Sequence, residues 1–291
     1  MAERLPTFLL VGAMKAGTTS LHGYLSSHPD VFMSPNKEPD YFVLEKTWSR
    51  GEQWYREQFR DARDEHAVGE ASTSYTKCTE FAGVPERAVS LLPDVRVVYL
   101  LRDPVERIRS MYLHNVIVGR EHRPLPQAVL SDPMYLDASR YAMQLSRWDA
   151  VLPPERVLTV LSEHLRADAA GVLARTGRFL GVDPSGFDLS PQRHNDTATR
   201  RKDTPATRLV RSLPGYRHAL RLAPQPLVRA LRTATTRTLP EADGVLDDTT
   251  RARLLDALAP DLERLRDRIG DDIDRWRLAP RPSARADGER L

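Results

Sequence analysis

The chain is short of cysteine, of lysine and of long apolar runs, and each shortage removes a class of protein. Cys78 is the only cysteine among 291 residues, which excludes internal disulfides and cysteine-based zinc sites. No stretch approaches the roughly 18 consecutive apolar residues that a membrane-spanning helix needs. The apolar run from Phe8 to Val11 breaks at Gly12 and Lys15, and no basic region of the secretory kind precedes it. No signal peptide is therefore expected, and the chain reads as cytoplasmic. Excess charge of one sign is missing too: 43 basic against 40 acidic residues leave a net +3, so no nucleic-acid partner is expected on electrostatic grounds. Hydrophobic residues at 41% and charged residues at 29% exclude a mostly disordered chain. Lysine is scarce, with five (15, 37, 46, 77 and 202) against 38 arginines. Arginine serves wherever a delocalised cation suffices, so each lysine carries some information.

What is present is an alternation of short apolar runs and amphipathic stretches over the first two thirds, the pattern of βαβ units and a parallel sheet. Strands are expected over 7–11, 67–70, 96–101 and 156–161, and helices over 18–27, 51–59, 85–91, 104–118, 141–150 and 169–180. Asp103 before Pro104 is a strong helix start. Gly181 marks a helix stop. The expected fold is α/β: a three-layer, P-loop-type domain whose central parallel sheet is flanked by helices. One domain over 1–280 is expected, with 281–291 a flexible tail. Within it, 204–240 carries seven arginines and no acid. Its plainest reading is a helical insertion with a solvated arginine face. A lid, a face toward an anionic partner and a membrane-surface helix stay open. A last helix is expected over about 247–269, with Trp276 packed back on the core. No internal repeat is found.

The sharpest motif is Phe8-Leu-Leu-Val-Gly-Ala-Met-Lys-Ala-Gly-Thr-Thr-Ser20. A buried strand runs through a glycine-bounded turn into a helix start, which aims backbone N–H groups and a positive helix end at one place. Gly12 and Gly17 have the spacing of the nucleoside-triphosphate loop, yet Thr18 stands where that loop demands lysine. The lysine is inside the turn, at Lys15, and Thr18, Thr19 and Ser20 offer three hydroxyls to a single phosphate. A second unit is Val97-Val-Tyr-Leu-Leu-Arg102-Asp-Pro, with Ser110 two helical turns further on. Arg102 ends a parallel strand, where open α/β sheets bind ligands.

Together these segments resemble the sulfotransferases that use 3′-phosphoadenosine 5′-phosphosulfate (PAPS), in particular the branch with the heparan-sulfate sulfotransferase domains and many bacterial members. The resemblance runs from Phe8 to about Trp276 and is thin over 204–240. It implies PAPS as co-substrate, with adenosine 3′,5′-bisphosphate as product and no metal required. Lys15, Ala16, Gly17, Thr18, Thr19 and Ser20 would hold the 5′-phosphosulfate, and Arg102 and Ser110 the 3′-phosphate. Arg200, Arg201 and Lys202, in the basic loop 193–202, are further candidates for closing over the nucleotide.

On the acceptor side, Asn36-Lys37-Glu38-Pro39-Asp40-Tyr41-Phe42 resembles the Lys-Glu-Pro-x-(Tyr/Phe)-Phe motif of the heparan-sulfate branch. That implies Glu38 as catalytic base, with Lys37 contacting the sulfuryl or leaving group. Gly69-Glu70-Ala-Ser-Thr-Ser-Tyr75 resembles the family's Glu-Lys-(Ser/Thr)-Pro-x-Tyr segment, but Ala71 and Thr73 replace its lysine and proline, so that lysine's role has no bearer here. Glu70, Tyr75 and Tyr141 are candidates for acceptor binding, with Glu70 a second choice of base and Tyr141 expected to shape the cleft. His28, His114 and His194 read as structural histidines. The expected partner is an acceptor, either a glycan, a lipid-linked sugar or a small metabolite, sulfated on a hydroxyl or an amine.

Two other functions fit parts of the sequence. A small-molecule or nucleotide kinase with a displaced loop lysine would use Asp103 on magnesium. A non-enzymatic binder of RNA or anionic membrane would use the arginines of 204–240. Neither the acceptor's identity nor the oligomeric state is legible.

Overall fold

The computed structural model describes residues 4–190, 201–203, 236–238, 244–276 and 278. Five strands, β1 (Phe8–Gly12), β2 (Val31–Met33), β3 (Ala67–Ala71), β4 (Arg96–Leu101) and β5 (Val157–Leu161), form one sheet in the order β2-β3-β1-β4-β5. Every neighbouring pair is parallel, so all five carboxyl ends open on one edge. Phe8, Leu9, Leu10 and Val11 are fully buried, as are Val97 to Leu101. Strands covered on both faces read as continuous apolar runs, which is why β1 and β4 were legible. Replacing Leu9 by alanine would cost about 2–5 kcal/mol through lost burial and the cavity left behind.

Helices α1 (Thr18–Ser26), α2 (Gly51–Glu57), α3 (Val84–Leu91), α4 (Pro104–Ile117), α5 (Leu125–Ser131), α6 (Pro133–Asp137), α7 (Tyr141–Asp149), α8 (Ser162–Ala167), α9 (Ala169–Leu180) and α10 (Asp248–Ile269) flank the sheet. Asp103 caps α4, its carboxylate accepting from the amides of Val105 (2.9 Å) and Glu106 (3.0 Å). Gly181 ends α9 in the left-handed conformation. The start of α7 has no side-chain cap of its own. Asp261 of α10, buried, supplies one by accepting from the amides of Ala142 (3.0 Å) and Met143 (2.9 Å). That contact fixes Tyr141, the first residue of α7. Trp276 is buried as expected, its indole donating to Glu163 (3.0 Å).

The sequence reading missed β2, three residues after Pro29, because so short a run shows no periodicity. It missed α5, α6 and α8, each of seven residues or fewer. A correction concerns the basic segment. Arg201 and Lys202 were expected in a loop, and 204–240 was expected to be helical. Instead β6 (Arg201–Asp203) and β7 (Thr236–Thr238) form an antiparallel pair, with β6 lying against α4. The remainder of that insertion, the 281–291 tail, Arg200 and His194 lie outside the described residues. Among the described residues, no helix is long and apolar enough to cross a membrane.

Candidate active site

Strand order places a topological switch point between β1 and β4: the chain leaves β1 toward β2 and β3 on one side, and β4 leads on to β5 on the other. Ligands of open α/β sheets occupy the crevice at such a point, beyond the carboxyl ends. The loop 13–17 leaves β1 there. Gly17, with φ 105°, precedes α1 without any side-chain cap; the amides of Ser20 and Leu21 donate to the Gly17 carbonyl (3.0 and 3.2 Å), which leaves the helix start at Thr18 and Thr19 without a capping side chain. Gly12 admits no other residue, because a Cβ at its φ of 149° would lie 2.2 Å from the Thr76 hydroxyl. That hydroxyl donates to the Val11 carbonyl (2.9 Å) and seals the loop's base. Lys15 is half-buried at φ 72°, Thr18 is buried, and Thr19 and Ser20 are partly exposed.

Arg102 crosses the crevice. Its guanidinium donates to the Lys15 carbonyl (3.0 Å), and Glu106 lies 3.9 Å away on α4. Tyr141 donates its hydroxyl to the Arg102 carbonyl (2.8 Å), fixing the strand end from behind. Burial lowers the Arg102 pKa, and the like charge of Arg166 on α8 lowers it further. Arg166 was not anticipated from the sequence. It lies near the end of the short helix that follows β5, and nothing in its local sequence marked it. Ser110 is buried two turns into α4.

The segment carrying Glu38 hangs from the neighbouring strand. The Glu38 amide donates to the carbonyl of Ala71 at the end of β3 (2.8 Å), and Ala71 pairs with Leu10 of β1. Glu38 is exposed. Its carboxylate accepts from Lys37 (3.1 Å) and from the Thr73 hydroxyl (3.2 Å). Surrounding protein opposes ionisation, but Lys37, Thr73 and Lys46 outweigh it and hold the pKa below the ordinary value. Among the described residues, three non-glycine residues have positive φ: Lys15 (72°), Glu38 (63°) and Asp40 (54°). Left-handed backbone costs side-chain-bearing residues on the order of 1–3 kcal/mol each and clusters at functional sites. All three lie in the two loops at this edge.

Glu70, Tyr75 and Tyr141 are placed differently from the sequence expectation. Each is 3% exposed or less, so none presents a side chain to an acceptor. Glu70 accepts three hydroxyls, from Ser72 (2.6 Å), Tyr75 (2.6 Å) and Tyr55 (3.1 Å). Burial pushes its pKa up, against those hydrogen bonds, to about 7. All three are interior residues: Glu70 and Tyr75 lie behind the segment carrying Glu38, and Tyr141 lies behind the end of β4. His28 is structural as expected: its Nδ1 accepts the Asp30 amide (3.0 Å) and its Nε2 bonds the Asp183 carbonyl (2.7 Å).

Lys46 is the second residue the sequence reading passed over. It follows the recognised motif, and its ammonium bonds the Asp40 carboxylate (2.5 Å) and the Ser74 hydroxyl (2.6 Å). The scarcity of lysine was its signal. The edge thus combines a cationic, amide-rich anion cradle at the ends of β1 and β4 with an ionised carboxylate tied to the end of β3, an arrangement suited to transfer of an anionic group to an oxygen or nitrogen that must lose a proton.

Comparison with known proteins agrees with this chemistry. The family described as "Sulfotransferase domain" matches residues 5–218. The human bifunctional heparan sulfate N-deacetylase/N-sulfotransferase 2 is 31% identical over 206 residues, which cover 62% of this chain and 22% of that protein. The human heparan sulfate glucosamine 3-O-sulfotransferase 3B1 is 29% identical over 191 residues, covering 62% of this chain and 47% of that protein. The chain therefore spans about a quarter to a half of these relatives. The crystal structure of a sulfotransferase from Alicyclobacillus acidocaldarius superposes with a TM-score of 0.68 at 26% identity, covering 94% of this chain and 99% of the other.

Proposed function

The chain belongs to the sulfotransferase domain family, and from that premise we propose that it transfers a sulfuryl group from PAPS to a hydroxyl or amine of a glycan, a lipid-linked sugar or a small metabolite. One observation carries the reading. Arg102 reaches across the switch point to the Lys15 carbonyl, so that its guanidinium meets the loop that bears Lys15 and leads into α1, which lacks a side-chain cap, with Glu38 hung from the adjacent strand.

The residues fit such a nucleotide. Lys15, the amides of Ala16 and Gly17 and the start of α1 at Thr18, Thr19 and Ser20 hold the 5′-phosphosulfate. Arg102 and Ser110 would hold the 3′-phosphate, for which a planar guanidinium supplies paired donors; Arg200, Arg201 and Lys202 are further candidates by resemblance alone, their side chains lying outside the described residues. When bound, PAPS supplies the sulfuryl group and leaves as adenosine 3′,5′-bisphosphate. Glu38 takes the proton of the acceptor hydroxyl or amine. Its depressed pKa keeps it ionised at neutral pH, so it is ready to accept that proton. Lys37, bonded to Glu38, orients the carboxylate and adds positive charge beside the transferring group. Asp103, on which a magnesium-dependent kinase would rely, already accepts two amides as the cap of α4.

Calorimetric titration with adenosine 3′,5′-bisphosphate and with ATP, each with and without Mg²⁺, tests the reading. Metal-independent binding of the bisphosphate, weakened in Lys15→Ala, is expected. Binding confined to ATP with Mg²⁺ would overturn it. Because the named relatives are heparan sulfate enzymes, the first acceptors to offer with labelled PAPS are an N-deacetylated heparosan oligosaccharide, a glucosaminyl lipid and free glucosamine.

A further inference from the structure

Glu70 is sealed in the interior, in reach of neither nucleotide nor acceptor, yet it receives three hydroxyl donors. Two of those hydroxyls face onward in the same direction. The Ser72 oxygen accepts the backbone N–H of Asp40 (3.0 Å), and the Tyr75 oxygen accepts the backbone N–H of Phe42 (3.4 Å). A hydroxyl has one proton to give. Because Ser72 and Tyr75 give theirs to Glu70, their lone pairs are turned toward the segment 38–42. That segment holds both left-handed residues of the acceptor side, Glu38 and Asp40. Such backbone persists only where the surroundings over-determine it.

We infer that Glu70 is a positioning residue for the catalytic carboxylate: through Ser72 and Tyr75 it fixes the amides of Asp40 and Phe42, just after Glu38, and so fixes where the Glu38 side chain points. The inference rests on the reading of Glu38 as base. Lys46 closes the same segment from its open side by joining Asp40 to Ser74. The Glu38 amide, held by Ala71 on β3, anchors its start. With its start pinned to the sheet and its end to Glu70, the segment has little freedom to relax into an ordinary conformation.

The experiment is amide exchange on the full chain, read at the Asp40 and Phe42 N–H groups, alongside affinity for adenosine 3′,5′-bisphosphate and turnover of PAPS with an N-deacetylated heparosan oligosaccharide. In Glu70→Ala, both amides are expected to exchange about tenfold faster or more. The amides of β1 and the bisphosphate affinity should stay within about threefold, and turnover should fall about a hundredfold with little change in KM. Glu70→Gln, which keeps an oxygen acceptor, should recover most of the turnover. Ser72→Ala should release only Asp40 and Tyr75→Phe only Phe42. Unchanged exchange at both amides in Glu70→Ala would overturn the inference. So would a loss spread evenly over β1 and the bisphosphate site together with no recovery in Glu70→Gln, which would make Glu70 a core residue only. If wild type turns over no PAPS, the reading of Glu38 fails while the exchange data still decide whether Glu70 holds the segment.

Discussion

The two sides of the crevice are rigid for different reasons. The loop at Lys15 is held largely by main chain: β1 feeds it, the Ala13 amide donates to the Leu100 carbonyl (2.6 Å), and glycines supply two of its unusual dihedrals, at Gly12 and Gly17, with Lys15 the third. The segment at Glu38 lacks glycine and takes left-handed backbone at residues with side chains. It is held by hydroxyls gathered around one buried carboxylate. A site whose donor half is built from backbone tolerates side-chain change away from its cations. A half built from side chains does not, and distant substitutions reach its chemistry.

The largest test of that contrast removes the reacting groups themselves. Glu38→Gln should lower turnover by about 10²–10⁴, the usual worth of a positioned general base, and leave bisphosphate affinity nearly unchanged. Lys15→Ala should weaken both, and equal losses of affinity in the two variants would erase the distinction between the halves. Next, Arg102→Ala should cost about 1.5–3 kcal/mol of bisphosphate affinity, the scale of charged hydrogen bonds. Calorimetry of this variant showing no loss would remove Arg102 from the nucleotide site.

A pH series sharpens the comparison. Glu70 titrates near 7 in the folded protein against an ordinary 4.5, so the native state binds the extra proton between those values and stability falls as pH rises through that window. Glu70→Gln lacks this dependence. Denaturant unfolding at pH 8 and pH 5 should therefore shift the balance toward wild type at the lower pH, by on the order of 3 kcal/mol at most. Glu38 shifts the other way: its pKa is depressed, so the acid limb of kcat/KM should fall below 4.5, the ordinary glutamate value. The smallest effect is expected from Lys46→Met. Its ammonium is a third exposed, so losing the pair with Asp40 should cost only about 0.5–1 kcal/mol in urea unfolding.

The donor half was readable because its signals are local. Strand, glycine spacing, Lys15 and the hydroxyl run stand in one stretch, and Arg102-Asp-Pro announces a strand end and a capped helix within three residues. Glu38 was readable only through likeness to a known motif, since neither its spacing nor its composition specifies a left-handed glutamate. The burial of Glu70 was hidden because its three donors come from α2 and from the turn after β3, and no sequence period brings Tyr55, Ser72 and Tyr75 together. Arg166 and Lys46 were missed for a similar reason: what each does depends on the elements beside it. Within the basic segment, a loop was expected at Arg201 and Lys202 and a helical insertion over 204–240, yet strand pairing over long range joins 201–203 to 236–238.

That antiparallel pair has a consequence for how the protein can be rebuilt. Asp203 lies opposite Thr236, so everything between them enters and leaves at one doorway beside α4. A two-residue Asn-Gly turn suits such a doorway. Replacing 204–235 by such a turn is thus expected to leave the five-stranded sheet folded, with urea unfolding and affinity for adenosine 3′,5′-bisphosphate as the check.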